Sequence, residues 1–283
     1  MVSLDLFLFH EFGLTSLTNV HMMENKLLLN MAEDKYRRFE REYAMVATDF
    51  YDLAQQSVLA SFVREHAGEG ALFFGGFEDA ERRGIIFLPD YLGIGSQREL
   101  ADFFRDNPQE CPYAILDVKT GQKDAGLKHS DYLGSLLALG IKREKTGDIL
   151  VSHSGAQIFV TKEIAPYLAE NYTKAGKVSL NVRVIPISEL MVTSPDLKRM
   201  RIAIASPRLD NAVAAVFSLS RRSAAEAISR GLVFVNNMEA KKPDLYLKGG
   251  EKLVLRGRGK AIYLGDCGTS RKGKTYAEFD RYI

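Results

Sequence analysis

The chain has 283 residues, 46% apolar and 26% charged, a balance that excludes a disordered or fibrous protein and allows two or three globular domains. Its net charge of +2 hides an asymmetry: residues 1–197 hold 20 basic against 28 acidic side chains, whereas Lys198–Lys260 holds fourteen against five. A basic module on an acidic body is the footprint of a polyanion binder, with a solvated basic face as the plain alternative. Cys111 and Cys267 lie far apart without ligand spacing. They imply neither a disulfide framework nor a zinc site, and a reducing cytoplasm is expected.

In chain order, the apolar patch Leu4–Phe9 is interrupted by Asp5 and followed by His10 and Glu11. It lacks the basic leader and long apolar run of a signal peptide, and it is too short to cross a bilayer. Residues 1–22 are expected to be a disordered or overcalled extension, with Met22 or Met23 as alternative starts. Two helices are expected over Glu24–Tyr43 and Thr48–His66. Lys35, Arg37, Arg38 and Arg41 are nearly balanced by Glu33, Asp34, Glu40 and Glu42, which favours a solvated helix face. Strands follow at Ala71–Phe77 and Gly84–Leu88, then a helix over Gln97–Arg105, and Asn107-Pro108 marks a boundary.

From Tyr113 the pattern becomes regular: strand Tyr113–Val118, helix Ser130–Leu139, hairpin Asp148–Ser152 with Gln157–Thr161, helix Lys162–Lys174, and strand Val178–Ile185. The order βαββαβ is that of the ferredoxin-like split unit, which RNA-recognition domains also use, although their aromatic sheet motif is absent here. Ser194-Pro195 reads as a linker.

The basic stretch opens with Ser206-Pro207-Arg208-Leu209-Asp210, a helix start with Ser206 as N-cap and Pro207 at the first helical position. A second start at Ser220-Arg221-Arg222-Ser223 runs to Gly231, which suits the left-handed position past a helix end. Val233-Phe234-Val235 and Leu253-Val254-Leu255 read as strands, and Asn236-Asn237 as a turn tolerant of positive φ. Arg221 and Arg222 in a first helical turn oppose the macrodipole by roughly 0.3–1 kcal/mol each, a cost that a bound phosphate turns into an attraction.

Taken together, Arg208-Leu209-Asp210, Ser220-Arg221, Ala224, Ile228, Gly231, Val233–Asn236, Lys248–Glu251 and Arg256-Gly257-Arg258 resemble the S-four domain, an RNA-binding fold, over about 55 residues. The resemblance implies RNA contact by Arg208, Arg221 and Arg222, flanked by Lys241, Lys242, Lys248, Arg256, Arg258 and Lys260. With Gly75–Arg83, Leu127–Gly134 and Leu137–Leu150, the chain from about residue 45 onward resembles the YlmH family of bacterial RNA-binding proteins. That resemblance implies a cytoplasmic translation factor that associates with the large ribosomal subunit and recognises stalled complexes carrying peptidyl-tRNA.

Catalytic readings are weaker. Gly268–Thr275 matches the P-loop pattern, yet only eight residues follow Thr275, too few for the helix and acidic strand that such a loop serves. His129 and Asp131 sit at a helix start, where Ser130 or Asp131 is explained as a cap. A pseudouridine synthase needs a catalytic Asp in its own domain, and Asp210 belongs to the module's helix opening. A methyltransferase needs a glycine-rich cofactor loop, which is missing. The expectation is an α+β protein: a region 23–108, a ferredoxin-like domain 109–192, an S-four-type domain 200–265 and a basic tail 266–283. It acts without catalysis, cofactor, metal, membrane or DNA, with structured rRNA or tRNA and the large ribosomal subunit as partners. The alternatives are an RNA-modifying enzyme or a ribosome-assembly factor; the acidic body disfavours a structural protein of the small subunit.

Overall fold

The computed structural model describes residues 5–121, 126–192, 196–269 and 275–283, and shows an α+β chain in two compact units, Met1–Met191 and Val192–Ile283. The first unit contains helices α1 (Asp5–Glu42), α2 (Leu53–Glu65), α3 (Gln97–Asp106), α4 (His129–Ala138) and α5 (Ala165–Asn171). Its strands are β1 (Val46–Ala47), β2 (Ala71–Phe74), β3 (Gly84–Phe87), β4 (Tyr113–Thr120), β5 (Thr146–Ser152), β6 (Gly155–Thr161), β7 (Lys174–Ala175) and β8 (Val178–Ile185).

Helical backbone begins well before Glu24, inside the segment expected to be an extension. On α1, Ala32, Tyr36 and Phe39 recur at helical spacing and pack with Leu59 and Phe62 of α2 and Phe87 of β3. Arg37 and Arg38 face solvent, paired with Glu33 at 3.3 Å and Glu42 at 2.9 Å. Helix α2 starts later than expected, at Leu53 instead of Thr48. Val46–Ala47 pairs with β3, Thr48 exchanges hydrogen bonds with Ile85, and Asp52 closes a capping box with Gln55. An edge strand and a cap therefore occupy Val46–Asp52, where the apolar spacing alone reads as helix.

Strands β5-β6-β4-β8-β7 form an antiparallel sheet, and its first four follow the order of a split βαββαβ unit. The expected helix from Lys162 is shorter: a 3₁₀ turn over Lys162–Ile164 leads into α5, with Pro166 in the first turn, where its missing N–H costs nothing. One sheet face, through Leu116, Val118, Ile158 and Val160, packs on Tyr132 and Leu136 of α4 and Leu168 of α5. The opposite face, through Tyr113, Ile115, Phe159 and Ile185, packs on Phe50, Phe74, Ile86 and Phe104. Asn107-Pro108 is therefore no boundary between separate cores; residues on both sides fill one. It also follows that the face on which RNA-recognition domains stack bases is largely occupied by protein here.

The second unit is a six-stranded sheet, β11-β10-β12-β13-β14-β9, with two helices on one face. Its elements are β9 (Leu197–Ile204), α6 (Leu209–Val216), α7 (Arg221–Ser229), β10 (Val233–Val235), β11 (Met238–Glu239), β12 (Glu251–Leu255), β13 (Gly259–Thr269) and β14 (Thr275–Tyr282). Leu209, Val213 and Val216 of α6 and Ala224 and Ile228 of α7 bury against Val233, Val235, Leu253, Leu255, Ala261 and Phe279. Each large side chain so buried contributes roughly 1.5–3 kcal/mol.

The expected tail corrects to a strand. Residues Thr275–Tyr282 lie between β13 and β9, with Ala277 and Phe279 buried. The alternation of Ala277 and Phe279 with Tyr276, Glu278 and Asp280 carries this signal, but the partner β9 lies about 80 residues earlier. Arg199 of β9 holds Asp280 through two nitrogens, at 2.5 and 2.9 Å.

Candidate nucleic-acid interface

Helix α7 begins as its sequence predicts. Ser220 Oγ accepts the Ser223 N–H at 3.0 Å, and Gly231 past the end has φ 67°. Asn236 and Asn237 both take positive φ, 51° and 66°. The start of α6 differs. Arg208, not Ser206, holds the N-cap position, in extended geometry and without a side-chain cap. Backbone from a distant segment supplies the missing acceptors: the Leu209 N–H donates to Leu245 O at 2.8 Å and the Asp210 N–H to Pro243 O at 2.9 Å. Ser206 Oγ accepts from Asn211 Nδ2 at 3.0 Å instead.

Asp210, at 3% exposure, is the centre of the site. Its Oδ1 accepts from Arg208 Nε at 3.2 Å and the Asn211 N–H at 2.9 Å; its Oδ2 accepts from Arg208 Nη2 at 3.1 Å and Arg221 Nε at 3.0 Å. Burial pushes this carboxyl up, but the hydrogen bonds and charges of Arg208 and Arg221 outweigh burial and hold it below the ordinary aspartate range. One buried carboxylate thus fixes two guanidinium groups, one from the entry of α6 and one from the entry of α7, while Arg221 keeps 58% of its side chain exposed. Fixed guanidinium groups at the entries of two helices have the chemistry that suits phosphate oxygens.

The other expected contacts distribute differently. Arg222 is 90% exposed and turns to Glu226 at 3.1 Å, so it does not join Arg221. Lys241, Lys242 and Lys248 are exposed on the segment that runs beside the start of α6, where the Leu247 N–H donates to Pro207 O. Arg256 lies over the Phe234 ring at 5.9 Å and Lys260 over Tyr282 at 5.5 Å. The β-strand alternation puts Phe234 and Lys260 on the sheet face away from the helices, and Arg258 lies in the turn between β12 and β13. Sequence reasoning treats Asp210 as a structural residue of the helix opening and misses that it organises Arg208 and Arg221; a carboxylate two residues after an arginine is the only signal.

The distinctive stretches of the first unit form a junction. Asp148 accepts the Glu81 and Arg82 N–H groups at 2.7 and 3.1 Å. Arg82 donates to the carbonyls of Thr146, Phe50 and Arg143 at 2.9, 3.0 and 3.2 Å, and Arg143 Nη1 donates to Thr146 O at 2.7 Å. Burial first, and then the Arg143 charge, pushes Arg82 down to about 10. Gly76 has φ 94°, and a Cβ there would lie 2.1 Å from the Phe159 ring. At α4, an Asp131 oxygen accepts the Lys128 N–H at 2.7 Å, which engages it as a cap rather than as a partner of His129.

Of the P-loop pattern, Gly268, Thr269 and Thr275 are described, and they belong to β13 and β14, paired Thr269 with Thr275; residues 270–274, with Lys274, lie outside the described residues, as does Ser194-Pro195. A strand therefore follows Thr275 where a P-loop requires a helix. Among the described residues there is no group of three or more His, Cys, Asp and Glu able to hold a metal, and no helix long and apolar enough to cross a membrane.

Residues 107–189 match the family model described as "Putative RNA-binding domain in YlmH". Architecture and match together define the class, an α+β protein carrying an RNA-binding domain. Over 260 residues the chain is 28% identical to "Ribosome-associated protein quality control protein P2" of Bacillus subtilis (strain 168), covering 91% of this chain and 95% of that protein. Both findings support a likeness to the YlmH family. A solved structure, "Cell division protein ylmH from Streptococcus pneumoniae", is 24% identical, with a TM-score of 0.44 over 59% of this chain and 93% of that one.

Proposed function

We propose that this chain is a cytoplasmic, non-enzymatic RNA-binding factor of ribosome-associated quality control. Its second unit, an S-four-type fold, grips structured rRNA or tRNA, and its target is the large ribosomal subunit carrying stalled peptidyl-tRNA. The observation that carries the reading is the pair Arg208 and Arg221, held on the buried Asp210 at the entries of two helices. The basic surplus of Lys198–Lys260 and the name of the Bacillus relative support it. Lys241, Lys242, Lys248, Arg256, Arg258 and Lys260 are flanking contacts in this reading, and Arg222 an outer one. The rival, an RNA-modifying enzyme using Asp210, is disfavoured because that carboxylate already binds two guanidinium groups.

The test is binding of the full chain to large subunits carrying peptidyl-tRNA across a salt series. Arg208→Ala and Arg221→Ala are each expected to weaken binding. The log–log salt slope should become shallower by about 0.7–0.9 for every phosphate that the variant no longer neutralises. Arg37→Ala, on the acidic body, is expected to change neither. Variants at Arg208 and Arg221 that melt normally and bind like the parent would overturn the assignment of this surface.

A further inference from the structure

Tyr246 is 61% exposed, beside the arginine pair, on a fixed stretch of backbone. Three hydrogen bonds tie its segment to the entry of α6: Leu209 N–H to Leu245 O at 2.8 Å, Asp210 N–H to Pro243 O at 2.9 Å, and Leu247 N–H to Pro207 O at 2.9 Å. Tyr246 itself forms an antiparallel bridge with Arg208, and the next residue, Leu247, is buried in the core. The ring is thus mounted on the same framework that positions Arg208.

The other tyrosines of this unit have partners. The Tyr263 hydroxyl donates to Asp266 at 2.5 Å, Arg201 lies 4.9 Å above Tyr276, and Lys260 lies 5.5 Å above Tyr282. Among the described residues, none hydrogen-bonds to the Tyr246 hydroxyl and no aromatic ring stacks on it; the Arg208 charge is close enough to interact with it. Its neighbours along the chain and across the bridge include the charged Lys242, Asp244, Lys248 and Arg208, with Leu245 exposed next to it. An aromatic face next to fixed guanidinium groups fits a nucleotide, whose base stacks while its phosphate is held.

We propose that Tyr246 is the stacking platform for an unpaired base of the RNA whose phosphates meet Arg208 and Arg221, so that this surface selects RNA with a locally unpaired nucleotide. The inference rests on the reading of the second unit as RNA-binding. It separates two kinds of residue. The arginines contribute through released counterions and so set the salt dependence; the ring contributes through stacking, which is insensitive to salt.

The experiment uses the full chain and two RNA hairpins, one with a single bulged 2-aminopurine and one fully paired, titrated at several salt concentrations. The parent is expected to bind the bulged hairpin more tightly and to quench its fluorescence. Tyr246→Ala is expected to melt like the parent and to lose about 5- to 150-fold in affinity for the bulged hairpin, the range of a missing base–aromatic stack. It keeps the parent's salt slope and its affinity for the paired hairpin, and the quenching disappears; Tyr246→Phe retains both. An Ala variant that binds and quenches like the parent overturns the proposal, as does an equal loss on both hairpins. If the Ala variant keeps its RNA affinities but no longer sediments with ribosomes, the ring faces a protein and the proposal also fails. A parent that binds neither hairpin in a salt-dependent way overturns the RNA reading of the unit itself, an outcome distinct from failure of the ring alone.

Discussion

Replacing Asp210 with Ala tests whether the buried carboxylate builds the site. The change removes four hydrogen bonds, three of them from guanidinium nitrogens, and leaves the Asn211 N–H without its acceptor. Removing one partner of a buried ion pair costs about 3–5 kcal/mol. Arg208 and Arg221 keep 30% and 58% of their side chains exposed, so both can turn to water, which brings the expected cost to about 2–3 kcal/mol. For a unit of this size that lowers Tm by on the order of 10–20 °C, read as the second unit's transition in calorimetry. The pH dependence follows from the sign of the shift. The folded carboxyl titrates below its unfolded value, so its stabilisation is complete above the unfolded pKa of about 3.9 and disappears as pH falls through the folded pKa. The difference between parent and Asp210→Ala is therefore expected to be full at neutral pH and to shrink below about pH 4. RNA affinity at physiological salt should fall although a negative charge has gone, because the guanidinium groups are no longer held. A variant with an unchanged Tm and tighter RNA binding would refute the argument, showing that Asp210 only neutralises charge.

Three further outcomes are expected. Arg82→Ala strips three carbonyls of their donor and should destabilise the first unit by about 3–5 kcal/mol in denaturant melts while leaving intact the RNA binding proposed for the second unit; a change under about 0.5 kcal/mol would show the junction to be incidental. Cys111 is buried with its thiol pushed up to about 11 chiefly by burial, so an alkylating reagent at pH 7.5 should label the half-exposed Cys267 first and reach Cys111 only after unfolding; equal labelling would contradict the packing of α3 against β4. Purified protein, with or without ribosomes, should not hydrolyse ATP or GTP, and a turnover abolished by Lys274→Ala would reverse the reading of Gly268–Thr275.

Local signals were legible in the sequence. Ser220 caps a helix because a serine hydroxyl reaches a first-turn N–H, Gly231 and the Asn236-Asn237 pair stand where φ is positive, and the period-2 and period-3.6 patterns of Tyr113–Ile185 place each element in its order. The charge surplus of Lys198–Lys260 located the basic module from counting alone. Tertiary structure decided whatever depends on a partner far along the chain. Thr275–Tyr282 is a strand because β9, about 80 residues earlier, pairs with it; α6 starts at Leu209 because Pro243 and Leu245 supply its acceptors; and residues on both sides of Pro108 share one core because Phe74 and Phe104 pack with Ile115 and Phe159. The site divides in the same way. Composition supplied the arginines, but only the fold brings Asp210 between Arg208 and Arg221, turns Arg222 away to Glu226, and mounts Tyr246 beside them, since hydrogen bonds and burial are set by distance in space and not by distance in sequence.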